Sequence, residues 1–141
     1  MIALDASVII AALSSWHDRR EAAEAAINKA LNARAGVVIP AHALFFEAYS
    51  VLTRIPPPRR LTPGEAFELL RASFSTVRIA VAPARFVWSM FGSLAATGLG
   101  GGITYDAVIL AAAESAGATS LLTLNARHFQ RLNSHIRIEV P

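Results

Sequence analysis

A chain of 141 residues, 54% hydrophobic and only 16% charged, fits one domain with a substantial core and argues against disorder. The absence of cysteine excludes a disulfide scaffold, thiolate metal sites and cysteine nucleophiles. A net charge of +3 permits a nucleic-acid partner without demanding one; twelve of the thirteen basic residues are arginine, whose fork suits phosphate, and Lys29 is the sole lysine.

In chain order, Ile2 to Leu4 reads as a short strand and Ala6 to Leu13 as a helix or turn. His17 to Ala35 reads as a long amphipathic helix with Ala22, Ala25, Ala26 and Ala30 near its inner face, stopped by Gly36. Val37 to Ile39 is a strand ended by Pro40. Ala41 to Ile55 is a helix broken by Pro56, Pro57 and Pro58, which with Arg59 and Arg60 form a surface loop. Thr62, Pro63 and Glu65 are the N-cap, first-turn proline and capping-box acid of a helix to about Ser75. Val77 to Val81 alternates as a strand, and Pro83 starts a helix to about Thr97. After a glycine loop come a helix from Thr104 to Ala116, with Thr104 as its cap, a strand from Ser120 to Thr123, a short helix from Asn125 to Leu132 and a strand from Ile136 to Val140.

This alternation predicts a three-layer α/β/α sandwich with a mainly parallel central sheet, in one domain over residues 1–141. The N-terminus has no basic region before Asp5, so no signal peptide is expected, and a cytoplasmic location suits the cysteine-free composition. Phe86 to Tyr105 carries no charge, but Gly98, Gly100, Gly101 and Gly102 make its second half a loop, so no membrane span is expected.

Ligands in such folds sit beyond the carboxyl ends of the strands. Asp5 stands at one such end and Asn125 follows another. Each is a sound N-cap on its own. Glu47 lies between Leu44 and Val51 on a helix with few polar positions, where a boundary glutamate with its head in water is the plain alternative. Asp106 shares a helix face with Ile109, Leu110 and Ala113, and also suits the positive end of the helix dipole. Glu114 lies well around that helix and is a weaker candidate. If the three acids converge, their repulsion calls for a divalent cation, and an all-oxygen donor set favours Mg2+ or Mn2+ over zinc. Such a site suits phosphodiester hydrolysis, where a metal lowers the pKa of a water and stabilises the leaving oxygen.

The stretches IALDASVIIA, FFEAYSVL, TYDAVILAAAESAGAT and LLTLNARHF resemble the PIN-domain ribonucleases, specifically the VapC toxins of toxin–antitoxin pairs, over essentially the whole chain. That resemblance implies that Asp5, Glu47 and Asp106 are the three acidic metal-site positions and Ser7 the small hydroxyl beside the first; Thr123 is a further supporting candidate. Asn125 matches a fourth position that is often aspartate, so this site has one charge fewer. The resemblance also implies an RNA substrate, a cognate antitoxin and a homodimer. Arg127 and Arg131 lie near the same rim, Arg127 as an RNA-phosphate contact. Aromatic and aliphatic residues around Phe45, Phe46, Tyr49 and Leu52 exceed what one inner face needs and suit a groove for a partner's helix or a second copy.

Four other readings compete. Aspartate-based phosphotransferases use a lysine near the phosphate, and Lys29 is poorly placed; the second aspartate of a D-x-D pattern is replaced by Ser7. The loop GLGGG lacks the GK[ST] of a phosphate-binding loop. A non-catalytic binding module would not need all three acids. A housekeeping RNA-processing enzyme or DNA flap nuclease on the same fold shares the chemistry. His17, His42, His128 and His135 show no metal-ligand spacing, and His128 is expected to pack or meet solvent near the site.

Overall fold

The computed structural model describes residues 1–141. Five strands, β1 (Ile2–Leu4), β2 (Val37–Pro40), β3 (Arg78–Ala80), β4 (Ser120–Leu122) and β5 (Arg137–Glu139), form one sheet in the order β3-β2-β1-β4-β5, and every neighbouring pair is parallel. The helices are α1 (Ala6–Leu13), α2 (Arg20–Leu31), α3 (π-helical over His42–Tyr49, then α-helical over Ser50–Arg54), α4 (Pro63–Phe74), α5 (Ala84–Thr97), α6 (Ile103–Ser115) and α7 (Ala126–Gln130).

Parallel crossovers are right-handed, so crossovers running in opposite directions lay their helices on opposite faces. From β1 to β2 to β3 the chain steps one way across the sheet; from β3 to β4 to β5 it steps the other. The first set places α1 to α4 on one face, with α1 against α2 and α3; the second places α5 to α7 on the other, with α6 against α5 and α7. Ala3, Leu4, Val38, Ile39 and Leu121 are fully buried, because central parallel strands are covered on both sides.

The direction reverses between β1 and β4, and at such a point a crevice opens beyond the strand ends. Pairing continues one residue past β1: the Asp5 N–H donates to the Leu122 carbonyl at 3.0 Å. The sheet itself therefore fixes the backbone that carries Asp5. At the same edge α3, from one face, meets α6, from the other.

Several local details differ from the sequence expectation. α2 is shorter than His17 to Ala35, because Ser14 to Arg20 is taken up by successive i→i+3 turns and the Arg19 N–H donates to His17 Nδ1. Its inner face is Ala23, Ile27 and Ala30; Ala22 and Ala25 are exposed. Thr104 does not cap α6. The helix begins one residue earlier, and the Thr104 hydroxyl donates to the Gly101 carbonyl at 2.7 Å. Leu52 is core, 2% exposed, so it contributes nothing to a surface groove. Phe86 to Tyr105 divides between α5 and α6 at Gly98, whose φ of 68° is left-handed. No helix is long and apolar enough to cross a membrane.

Candidate active site

Asp5 is 3% exposed at the end of β1. Its backbone is extended and its side chain caps α1, accepting the Ser7 N–H at 3.4 Å. The Ser7 hydroxyl donates to the same oxygen, Oδ2, at 2.5 Å, and the Thr123 hydroxyl does so at 2.7 Å. All three bonds fall on Oδ2, which leaves Oδ1 without a hydrogen bond. Each hydroxyl also accepts a backbone N–H from the segment after β4: Leu124 N–H to Ser7 at 2.9 Å, Asn125 N–H to Thr123 at 2.9 Å. A carboxylate on β1, a hydroxyl on α1 and a hydroxyl beyond β4 thus lock three segments together. Thr123→Val keeps the shape but removes a donor to a buried carboxylate and leaves the Asn125 N–H without its acceptor. It is expected to cost roughly 2 kcal/mol in urea unfolding, with Thr123→Ser recovering most of it. A loss indistinguishable from zero would show that Asp5 does not depend on this contact.

Glu47 rides on the π-helical part of α3. In an α-helix His42 and Glu47, five residues apart, lie about 140° apart around the axis. An i→i+5 repeat instead brings residues five apart over one another. His42 Nε2 accordingly lies 3.5 Å from Glu47 Oε1, buried and without a hydrogen bond of its own. Burial holds the His42 pKa below the usual histidine value. The Glu47 carboxylate accepts no hydrogen bond and is pushed up to about 7, first by burial and then by the charges of Asp5 and Asp106.

Asp106 lies in the first turn of α6, between the buried Ile103 and the buried Ala107. Burial raises its pKa above the ordinary carboxylate value, His128 opposes the rise, and Asp5 adds to it. His128 Nδ1 stands 3.6 Å from Asp106 Oδ2. The charges of all three carboxylates therefore act on one another, one from the end of β1 and one from each helical layer.

Asn125 precedes α7 and its side chain makes no capping bond. It lines, with Ser7, Glu47, His42 and Arg54, a cleft of about 580 Å³. Arg127 is exposed on α7 and does not line that cleft. Glu114 accepts the Ser134 hydroxyl, a structural contact that accounts for it. Three cleft residues, His42, Arg54 and Tyr105, are not marked as site residues by the sequence. His42 was hidden because α-helical periodicity points it away from Glu47, and Arg54 because nothing local distinguishes it from the other arginines.

The donor set suits a hard divalent cation: Asp5 Oδ1, Glu47 and Asp106 carry no protein hydrogen bond, and their mutual repulsion is opposed only at Asp106, by His128. No three His, Asp or Glu side chains form a ready-made metal cage.

The PIN domain family model matches residues 2–134. Ribonuclease VapC40 of Mycobacterium tuberculosis is 38% identical over 140 residues, covering 99% of this chain and 97% of that protein. Among solved structures, Mycobacterium tuberculosis VapC20, described as a sarcin–ricin loop cleaving toxin, superposes with a TM-score of 0.71 at 18% identity, covering 97% of this chain and 99% of that one. VapBC2 from Rickettsia felis, bound to a DNA fragment from its promoter, gives 0.72 at 19% identity, covering 100% and 99%. At these identities the structures speak for the fold alone.

Proposed function

This chain belongs to the PIN-domain family, among its VapC ribonucleases, and from that premise we propose that it is an endoribonuclease toxin whose residues 1–141 form one nuclease domain with Asp5, Glu47 and Asp106 as its metal-binding acids. The observation that carries the site assignment is Glu47: a half-buried carboxylate with no hydrogen bond, raised first by burial and then by the charges of Asp5 and Asp106, gains most from a cation. Mg2+ or Mn2+ is the fitting ion, and when bound it contributes Lewis acidity and charge neutralisation at the scissile phosphate. The protein's part is positioning. Ser7 and Thr123 clamp Oδ2 of Asp5 and leave Oδ1 free of hydrogen bonds. Glu47 and Asp106 approach from opposite layers. Asn125 offers a neutral amide oxygen that orients water or ligand without adding charge. Arg127 meets RNA phosphates at the rim.

The substrate is RNA, the location cytoplasmic, and the activity is restrained by a cognate antitoxin. A groove of about 570 Å³ between α3, α4 and the edge strand β3, lined by Phe45, Tyr49, Phe67, Leu70 and Ile79, suits an antitoxin's amphipathic helix. A homodimer is part of the same reading. The test is cleavage of single-stranded RNA by the purified protein with Mg2+ or Mn2+, abolished by chelation, beside growth of cells expressing it. Cleavage with growth arrest supports a toxin; cleavage without any growth defect points to a housekeeping nuclease.

Asn125 gives a graded prediction. Asn125→Asp adds a fourth carboxylate and should tighten Mn2+ binding in calorimetric titration without substrate. Asn125→Ala should lower cleavage less than Asp5→Asn, since the acids remain. An Asn125→Asp protein that binds Mn2+ no better than wild type would place Asn125 outside the metal's reach.

A further inference from the structure

Two exposed aromatic rings flank the acids, each one residue before a carboxylate. Phe46 precedes Glu47 on α3 and is 64% exposed; Tyr105 precedes Asp106 on α6 and is 59% exposed. His42 lies between them, its ring 5.1 Å from Phe46 and 5.7 Å from Tyr105, tilted 25° and 29°. The three rings form one stack that bridges the two helical layers across the cleft. Its members are prealigned, and no other ring packs on Tyr105. Both outer rings line the same cleft as Glu47 and Asn125, and about 580 Å³ is far more than a phosphate group requires. Arg54 lines it too, in the same cleft as Glu47, and pairs with no carboxylate of this protein.

We propose that Phe46 and Tyr105, aligned by His42 and joined by Arg54, form a subsite for an unpaired nucleotide beside the scissile bond, the rings stacking on its base and the guanidinium holding a phosphate. This rests on the ribonuclease reading and specifies the form of its substrate. Flat π faces accept any base, so the subsite selects strandedness more than sequence. Bases inside an A-form duplex are out of reach of such a platform, whereas loops and single strands offer them.

The test is fluorescence anisotropy with a short labelled RNA, single-stranded or annealed to its complement, in an Asp5→Asn background so that binding is read without cleavage. The single strand should bind more tightly than the duplex. Phe46→Leu and Tyr105→Leu, which keep bulk and lose the flat face, should each weaken single-strand binding roughly tenfold, while Phe46→Tyr and Tyr105→Phe retain it. Arg54→Ala should weaken binding and lower the slope of log affinity against log salt by about 0.7. Melting temperatures of the variants separate lost contacts from lost folding, and the Phe/Tyr exchanges provide the test if a leucine variant is unstable. Equal binding of duplex and single strand, or leucine variants that bind like their parent, overturns the subsite. If the subsite variants lose RNA but the wild-type protein with Mg2+ or Mn2+ never cleaves it, the subsite stands and the ribonuclease reading fails.

Discussion

Asp5→Asn is expected to keep the fold and to lose at least about a hundredfold of the metal-dependent cleavage rate. Even the outer partners of metal ligands cost tenfold to a hundredfold when removed, so a ligand itself sets that as the lower bound. The fold survives because asparagine caps a helix as well as aspartate does, and its Oδ1 can accept the Ser7 and Thr123 hydroxyls in place of the carboxylate oxygen. What disappears is a charge beside Glu47 and Asp106. In the absence of metal the variant should therefore melt no lower than wild type, and the same holds for an inactive Asp106→Asn. Adding Mn2+ should raise the wild-type melting temperature more than that of either variant, by mass action on the folded state. A fully active Asp5→Asn protein would remove Asp5 from the metal site.

Glu47 carries the largest expected pH effect. Its carboxyl titrates at about 7, against an ordinary value of 4.5, with burial as the first cause and the Asp5 and Asp106 charges behind it. Only the ionised form ligates a cation, so at metal concentrations below saturation cleavage should rise about tenfold per pH unit below 7 and level off above it. More metal should move that midpoint to lower pH. The stability of the metal-free protein runs the other way. Between pH 4.5 and about 7 the folded state holds a proton that the unfolded state has lost, so stability falls as pH rises through this window. Below it neither state pays the penalty; above it the penalty is complete. The interval corresponds to about 3 kcal/mol at full burial, and with the side chain 30% exposed solvent screening leaves roughly 1–2 kcal/mol. Glu47→Gln should thus stabilise the metal-free protein at pH 8 by that amount, leave it unchanged at pH 4, and be inactive at both. Denaturant titrations of the two proteins at the two pH values measure the difference. Equal stability at pH 8 would mean that Glu47 is solvated and does not face the other acids.

The alternation of strands and helices, the ends of β1 and β4, and the peculiarity of Asp5 and Asp106 are legible in the residues alone. These are local matters. A carboxylate closing an apolar run, or opening a helix apolar on all sides, is visible because burial of an unpaired charge is costly wherever the chain goes. Boundaries were less legible where capping competes with propensity, as at Ser14 to Arg20 and at Thr104.

Which strands are neighbours, and with it the site, follows from the folded arrangement. β1 and β4 come together because the connections reverse direction after β3, a choice made by how the helices cover the two faces and not by any residue in either strand. That adjacency alone puts Thr123 on Asp5 and Asn125 at the mouth of the cleft. The π-helical turn was equally hidden. Residue spacing is read with one helical period, and here α3 adopts another where it meets α6, which turns His42 toward Glu47 and sets it between Phe46 and Tyr105. Periodicity reports the forces along a segment; register and neighbourhood come from contacts between segments far apart in the chain.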